Sequence, residues 1–229
     1  DYATSPRKDY SFSRSQYAAL GLWAAEEMDV EIPADIWRGI ELAWQANQHP
    51  DGGFSYKIAK DAGGDEEKKL VTMCMTTAGL ATLFITQDFT RSEMYASARG
   101  NPLTPPMDKA MKWITANFKE RVATGKSMPR EFPYAMLYAI ERVGLAGGIR
   151  RFGEADWYDV GASWLIKKQA KDGSFGASTW GPVPDNAWGL LFLQRGRTPV
   201  AFNKLDYTAG VSDPKKAQCC LLYTSPSPR

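Results

Sequence analysis

Histidine occurs once in this chain, at His49, and cysteine three times, at Cys74, Cys219 and Cys220. An odd cysteine count with two adjacent thiols makes no disulfide framework, and no metal-ligand spacing appears, so neither a metal nor a cofactor is expected. Charge of one sign is hardly in excess. There are 28 basic against 26 acidic residues, a net charge of +2, which gives no electrostatic reason to expect a nucleic-acid or anionic-membrane partner. Long apolar runs are as scarce. Leu70 to Gln87 carries no charge for 18 residues, which only just meets the length of a membrane span. Its five Thr, Gly79 and the closing Gln87 argue against one, and no span is expected. Period-two alternation is nearly missing, so strands are expected to be few.

What is present is helical periodicity. Three stretches carry a single apolar stripe with charge opposite: Ile36, Ile40, Ala43 and Trp44; Met107, Ala110, Met111, Ile114 and Phe118; and Trp157, Val160, Gly161, Trp164 and Leu165. Pro33 opens the first, and Thr104-Pro105 makes a cap and start for the second. Trp164 is expected to be buried between layers. Eight Trp in all read as packing between helices.

Four further stretches are apolar over most of their circumference: Gln16 to Ala25, Val71 to Ile85, Phe132 to Val143 and Asn186 to Leu193. Such helices are expected to be buried. Ala18, Ala78, Ala135 and Ala187 mark corresponding points in them, spaced by 60, 57 and 52 residues. The pattern is a degenerate two-helix repeat, with inner and outer helices alternating. Stacked pairs of this kind bury a core that one pair cannot.

The repeat is punctuated by a doubled phrase. "QHPDGGFSY" begins at Gln48 and "QAKDGSFGA" at Gln169. Gly52 and Gly173 are expected to take the positive φ that ends a helix without a Cβ clash. Asp51 and Asp172 hydrogen-bond the backbone of the turn, Gln48 and Gln169 reach free backbone groups, and Phe54 and Phe175 plug the space beneath. After the second outer helix the phrase has decayed, and Phe118 takes the Gln position.

"WLIKKQAKDGSFGASTW" and "AWQANQHPDGGFSY" resemble the repeats of squalene–hopene cyclases and protein prenyltransferase β subunits. "SQYAALGLWAA" and "PDNAWGLLFLQRG" resemble inner helices of bacterial members of that family that carry the repeats without a known reaction. The resemblance covers most of residues 10–197 and implies an all-α fold, a partial α/α toroid of about seven helices in alternating inner and outer layers. Seven helices make three and a half hairpins of a ring that has about six, so the ring is expected to be incomplete. Residues 198–219 read as a connection or the start of another domain. Residues 220–229, "CLLYTSPSPR", resemble a translated sequencing adapter and are set aside from fold reasoning.

The chemistry of the family is hard to find in these residues. The Asp-x-Asp-Asp acid of terpene cyclases does not occur. Asp65-Glu66-Glu67, the nearest cluster, reads as a solvated charge run. The zinc site of prenyltransferases needs Asp, Cys and His to converge, and His49 lies in a turn expected to be exposed. Asp185 opens the fourth inner helix. It is the weak catalytic candidate together with Glu131, and its simpler role is a first-turn acid at a helix N-terminus. Tyr17, Tyr134, Tyr138, Trp180 and Trp188 gather at the inner helices, where they either line a ligand cleft or fill it. Trp23 belongs to the same group of aromatics. The leading reading is a non-catalytic binding or scaffold module of a longer bacterial protein, with an apolar small molecule or another protein domain as partner. The alternatives are an isoprenoid-handling enzyme whose acid motif lies outside these residues and, behind it, an α/α-barrel glycoside-active enzyme.

Overall fold

The computed structural model describes residues 11–56, 71–91, 103–124, 132–176 and 180–195. Glu131, the Asp65 cluster and everything beyond residue 195, including the segments 198–219 and 220–229, lie outside the described residues. The fold is all-α. Its helices are α1 (Phe12–Glu26), α2 (Ala34–Ala46), α3 (Met73–Thr90), α4 (Pro105–Phe118), α5 (Pro133–Ala146), α6 (Trp157–Lys168) and α7 (Pro182–Arg195). A π-helical turn, Lys119–Ala123, continues α4.

Residue chemistry explains where the helices begin. Thr72 caps α3, its hydroxyl accepting from the Met75 N–H at 3.1 Å. Pro105 and Pro106 supply the preset φ of the first turn of α4, but the Thr104 side chain makes no cap bond there. Asp156 caps α6 by accepting from the N–H groups of Tyr158 and Asp159, and also accepts from Arg150 Nε at 2.8 Å. Burial acts to raise the Asp156 pKa. The Arg150 hydrogen bond and the two backbone N–H groups outweigh it and hold the carboxyl below its ordinary value.

α3 packs against α1 and α5, and α5 against α7, so these four helices, the ones read as inner, form a connected series. α2 and α4 cover α3, and α6 covers α5. In α3 every residue from Met73 to Phe84 is buried. Its threonines tolerate this because Thr76, Thr77, Thr82 and Thr86 each donate to a carbonyl one turn back, at 2.7 to 3.2 Å. No helix among the described residues is long and apolar enough to cross a membrane.

Four features depart from the sequence reading. α1 and α7 are not buried all round. Each buries one face, Phe12, Gln16 and Ala19 in α1, and Asp185, Gly189 and Phe192 in α7. α1 packs mainly on α3 and α7 mainly on α5, and Leu190 and Val183 are left exposed. Trp164 is only half-buried, because the buried stripe of α6 is Trp157, Gly161 and Leu165 and Trp164 lies at its flank. A two-residue hairpin, β1 (Arg151–Phe152) and β2 (Ala155–Asp156), precedes α6 and is too short to leave an alternation signal. His49 is buried, with its Nε2 2.9 Å from Ser55 Oγ and its N–H bonded to the Gly53 carbonyl.

The doubled phrase is one structure built twice. Gly52 has φ 97° and Gly173 φ 86°. Gln48 Nε2 donates to the Gly52 carbonyl, and Gln169 Nε2 to that of Gly173, both at 2.9 Å. Gln48 also reaches the Pro106 carbonyl in the first turn of α4. Asp51 accepts from the Gly53 N–H and Asp172 from the Ser174 N–H, both at 3.0 Å. The Phe54 N–H donates to Thr76 Oγ1 and the Phe175 N–H to Asn186 Oδ1. Each ring then lies on a glycine of the following inner helix. A Cβ on Gly79 would come within 2.7 Å of Phe54, and one on Gly189 within 2.7 Å of Phe175. This pairing matches Thr76 to Asn186 and Gly79 to Gly189, one residue away from the register set by Ala78 and Ala187.

The two glycines predict unequal costs. An alanine at Gly173 meets nothing within 4 Å, so Gly173→Ala carries only the positive-φ cost, about 1–2 kcal/mol. A Cβ at Gly52 would sit 2.4 Å from the Lys109 carbonyl oxygen, a backbone atom that cannot swing away. Gly52→Ala is therefore expected to cost more, up to about 3 kcal/mol. Urea unfolding of the two variants measures the difference. Equal losses would show that the first turn does not press on α4.

Candidate functional site

Helices α1, α3, α5 and α7 each send a side chain to one cluster. α1 provides Gln16 and Tyr17, α3 provides Cys74, α5 provides Tyr138 and Arg142, and α7 provides Trp188. Arg142 is at its centre and is 8% exposed. Its Nη2 donates to Gln16 Oε1 at 2.8 Å, and its guanidinium carbon lies 4.8 Å from the centre of the Tyr138 ring. Its Nε and Nη1 are buried without a hydrogen-bond partner among the described residues. Tyr17 and Trp188 stack at 6.5 Å and 26°, joining α1 to α7.

Electrostatics tie these groups together. Burial pushes the Tyr17 hydroxyl up to about 12, against the opposing charge of Arg142. Burial likewise pulls the Arg142 pKa down, while Tyr138, Tyr17, Glu141 and Cys74 act in the other direction. Elsewhere the fold handles a buried charge differently. Glu41 is met by Arg91, by Thr90 Oγ1 at 3.1 Å and by Gln45 Nε2 at 2.7 Å, so the α2–α3 contact leaves that carboxylate satisfied.

The remaining candidates divide among three places. Tyr17, Tyr138 and Trp188 belong to the cluster. Tyr134 is buried behind it under the second turn, 6.0 Å from Phe175 and 5.3 Å from Trp164. Trp180 is exposed at the entry to α7, 5.8 Å from Phe132, whose ring is in turn 6.0 Å from Tyr56. Phe132 takes a left-handed conformation, φ 49°, at the start of α5. Asp185 is buried in the first turn of α7. Its carboxylate reinforces burial in raising the Tyr134 hydroxyl pKa, and a backbone hydrogen bond at Gly176 works against both. Gln48, Asp51, Gly52, Phe54 and their counterparts Gln169, Asp172, Gly173 and Phe175 are occupied with the turns.

Arg142 escaped the sequence reading, although a signal was there. It is a cation inside "YAMLYAIERVGLA", a helix otherwise apolar round most of its circumference, and such a position demands a partner. Among the described residues no group of three or more His, Cys, Asp or Glu side chains could hold a metal ion. The chain matches no protein-family model, no curated protein and no solved structure.

Proposed function

We propose that this chain is a non-catalytic binding module of the α/α-toroid type, built from repeats like those of squalene–hopene cyclases and prenyltransferase β subunits. It takes an apolar small molecule on its inner helices. The observation that carries this reading is the convergence of Tyr17, Tyr138 and Trp188 from three helices. Flat rings that share one cluster with a half-exposed edge offer an apolar ligand area and shape. The doubled turn supports the repeat assignment, since two phrases 121 residues apart build the same hydrogen bonds.

A second reading rests on Asp185, whose buried carboxyl near Tyr134 is the kind of acid an isoprenoid-handling enzyme would use. One experiment separates the two. The purified chain is titrated with farnesol by calorimetry and incubated with squalene, with products followed by gas chromatography. Binding without turnover is expected. Trp188→Ala should weaken farnesol binding by about two- to twelvefold, the worth of one aromatic contact. Turnover that vanishes in Asp185→Asn would overturn the non-catalytic reading.

A further inference from the structure

We propose that Arg142 is a carboxylate receptor, and that the ligand of this cluster is a monocarboxylate with an apolar or aromatic body. The inference rests on the binding reading above and narrows the ligand to one chemical class. It begins from an imbalance. A guanidinium stays protonated in proteins and brings five N–H donors. At Arg142 the described residues answer only Nη2, through Gln16, and give the cation one ring face, that of Tyr138. Nε and Nη1 have no hydrogen-bond partner among the described residues. Leaving a buried cation in that condition is costly, and a carboxylate that shares its donors relieves the cost through charge-assisted hydrogen bonds.

The surroundings set the charge and the body of the ligand. The other members of the cluster, Gln16, Tyr17, Cys74, Tyr138 and Trp188, include no second Lys or Arg. Glu141, buried on the same helix, acts on Arg142 electrostatically but does not occupy its Nε or Nη1, so the open donors of one guanidinium match a single carboxylate. A diphosphate, with two or more negative charges, would be left with most of its charge uncompensated in a buried place. The stacked Tyr17 and Trp188 rings and the Tyr138 face supply apolar area beside the charged end. Tyr17 is 40% exposed and so forms the solvent edge of the cluster.

The test compares two probes that differ in the head group alone, decanoate and decanol, by calorimetry on the full chain. Decanoate should bind about tenfold or more tightly than decanol, as expected for charge-assisted over neutral hydrogen bonding. Arg142→Gln should abolish that preference, and Arg142→Lys should keep part of it because the charge remains. If Arg142→Gln does not fold, the wild-type comparison and Arg142→Lys still decide. Equal affinity of the two probes for the wild type would overturn the carboxylate assignment and leave the apolar binding reading standing. Binding of neither probe would overturn both. A decanoate preference that survives in Arg142→Gln would place the carboxylate elsewhere and also overturn the proposal.

Discussion

Trp157→Ala is expected to lower the unfolding free energy by about 3–5 kcal/mol, the range for truncating a large core aromatic. The ring is 3% exposed and lies on Gly144, where a Cβ would come within 2.5 Å of it. It meets Phe192 of α7 edge-on at 5.8 Å, so one side chain fills the junction of α5, α6 and α7. Its Nε1 donates to the Ile149 carbonyl at 2.6 Å, and truncation removes that donor as well as the volume. Trp164→Ala is the comparison. Trp164 is half-buried, touches Tyr134 edge-on at 5.3 Å, and has Lys168 over its ring at 6.0 Å. Water can reach the space it would vacate, so its loss should cost only about 1–2 kcal/mol. Urea denaturation of both variants gives the order. A larger loss for Trp164 than for Trp157 would show that the stripe of α6 is turned the other way.

The same pair of residues shows how far the sequence could be read. Periodicity places α6 and gives it an apolar face, because burial on a helix recurs every 3.6 residues. Both Trp157 and Trp164 fall within that face, seven residues apart, and nothing in the spacing says which of them the neighbouring helix covers. Inner helices were harder still. "Apolar all round" describes what a helix can bury, and α1 and α7 each bury only one face, so Tyr17 and Leu190 are exposed. The turns were legible because their residues are local. Gly52, Asp51 and Gln48 bond within four residues of one another. Burial was not legible from the same letters. His49 is expected to be exposed with its turn, yet its ring is buried and reaches Ser55 inside the fold. Among the site residues the aromatics were foreseeable as a set. Their division between the Arg142 cluster, the buried Tyr134 and the exposed Trp180 depends on how α1, α5 and α7 face one another, and a single sequence with degenerate repeats does not encode that visibly.

Phe54→Ala should cost about 3–5 kcal/mol, and it tests whether the repeated turns are independent units. Phe54 is 1% exposed, meets Trp44 edge-on at 5.4 Å and rests on Gly79. It therefore pins α2 to α3 at the point where the chain leaves one helix for the next. Phe175 does the same for α6 and α7, resting on Gly189 with Tyr134 at 6.0 Å. It is 4% exposed, has no ring packed as closely as Trp44 is on Phe54, and should cost less, about 2–3 kcal/mol. The two rings share no aromatic partner, so in the double variant the losses should add to within about 0.5 kcal/mol. In a stack of hairpins each unit contacts its neighbours alone, and additivity is the signature of that arrangement. The double-mutant cycle by urea unfolding measures it. A coupling above about 1 kcal/mol would mean that α3 and α5, which pack against each other between the two turns, transmit a shift from one to the other, and that the two copies of the phrase act as one device.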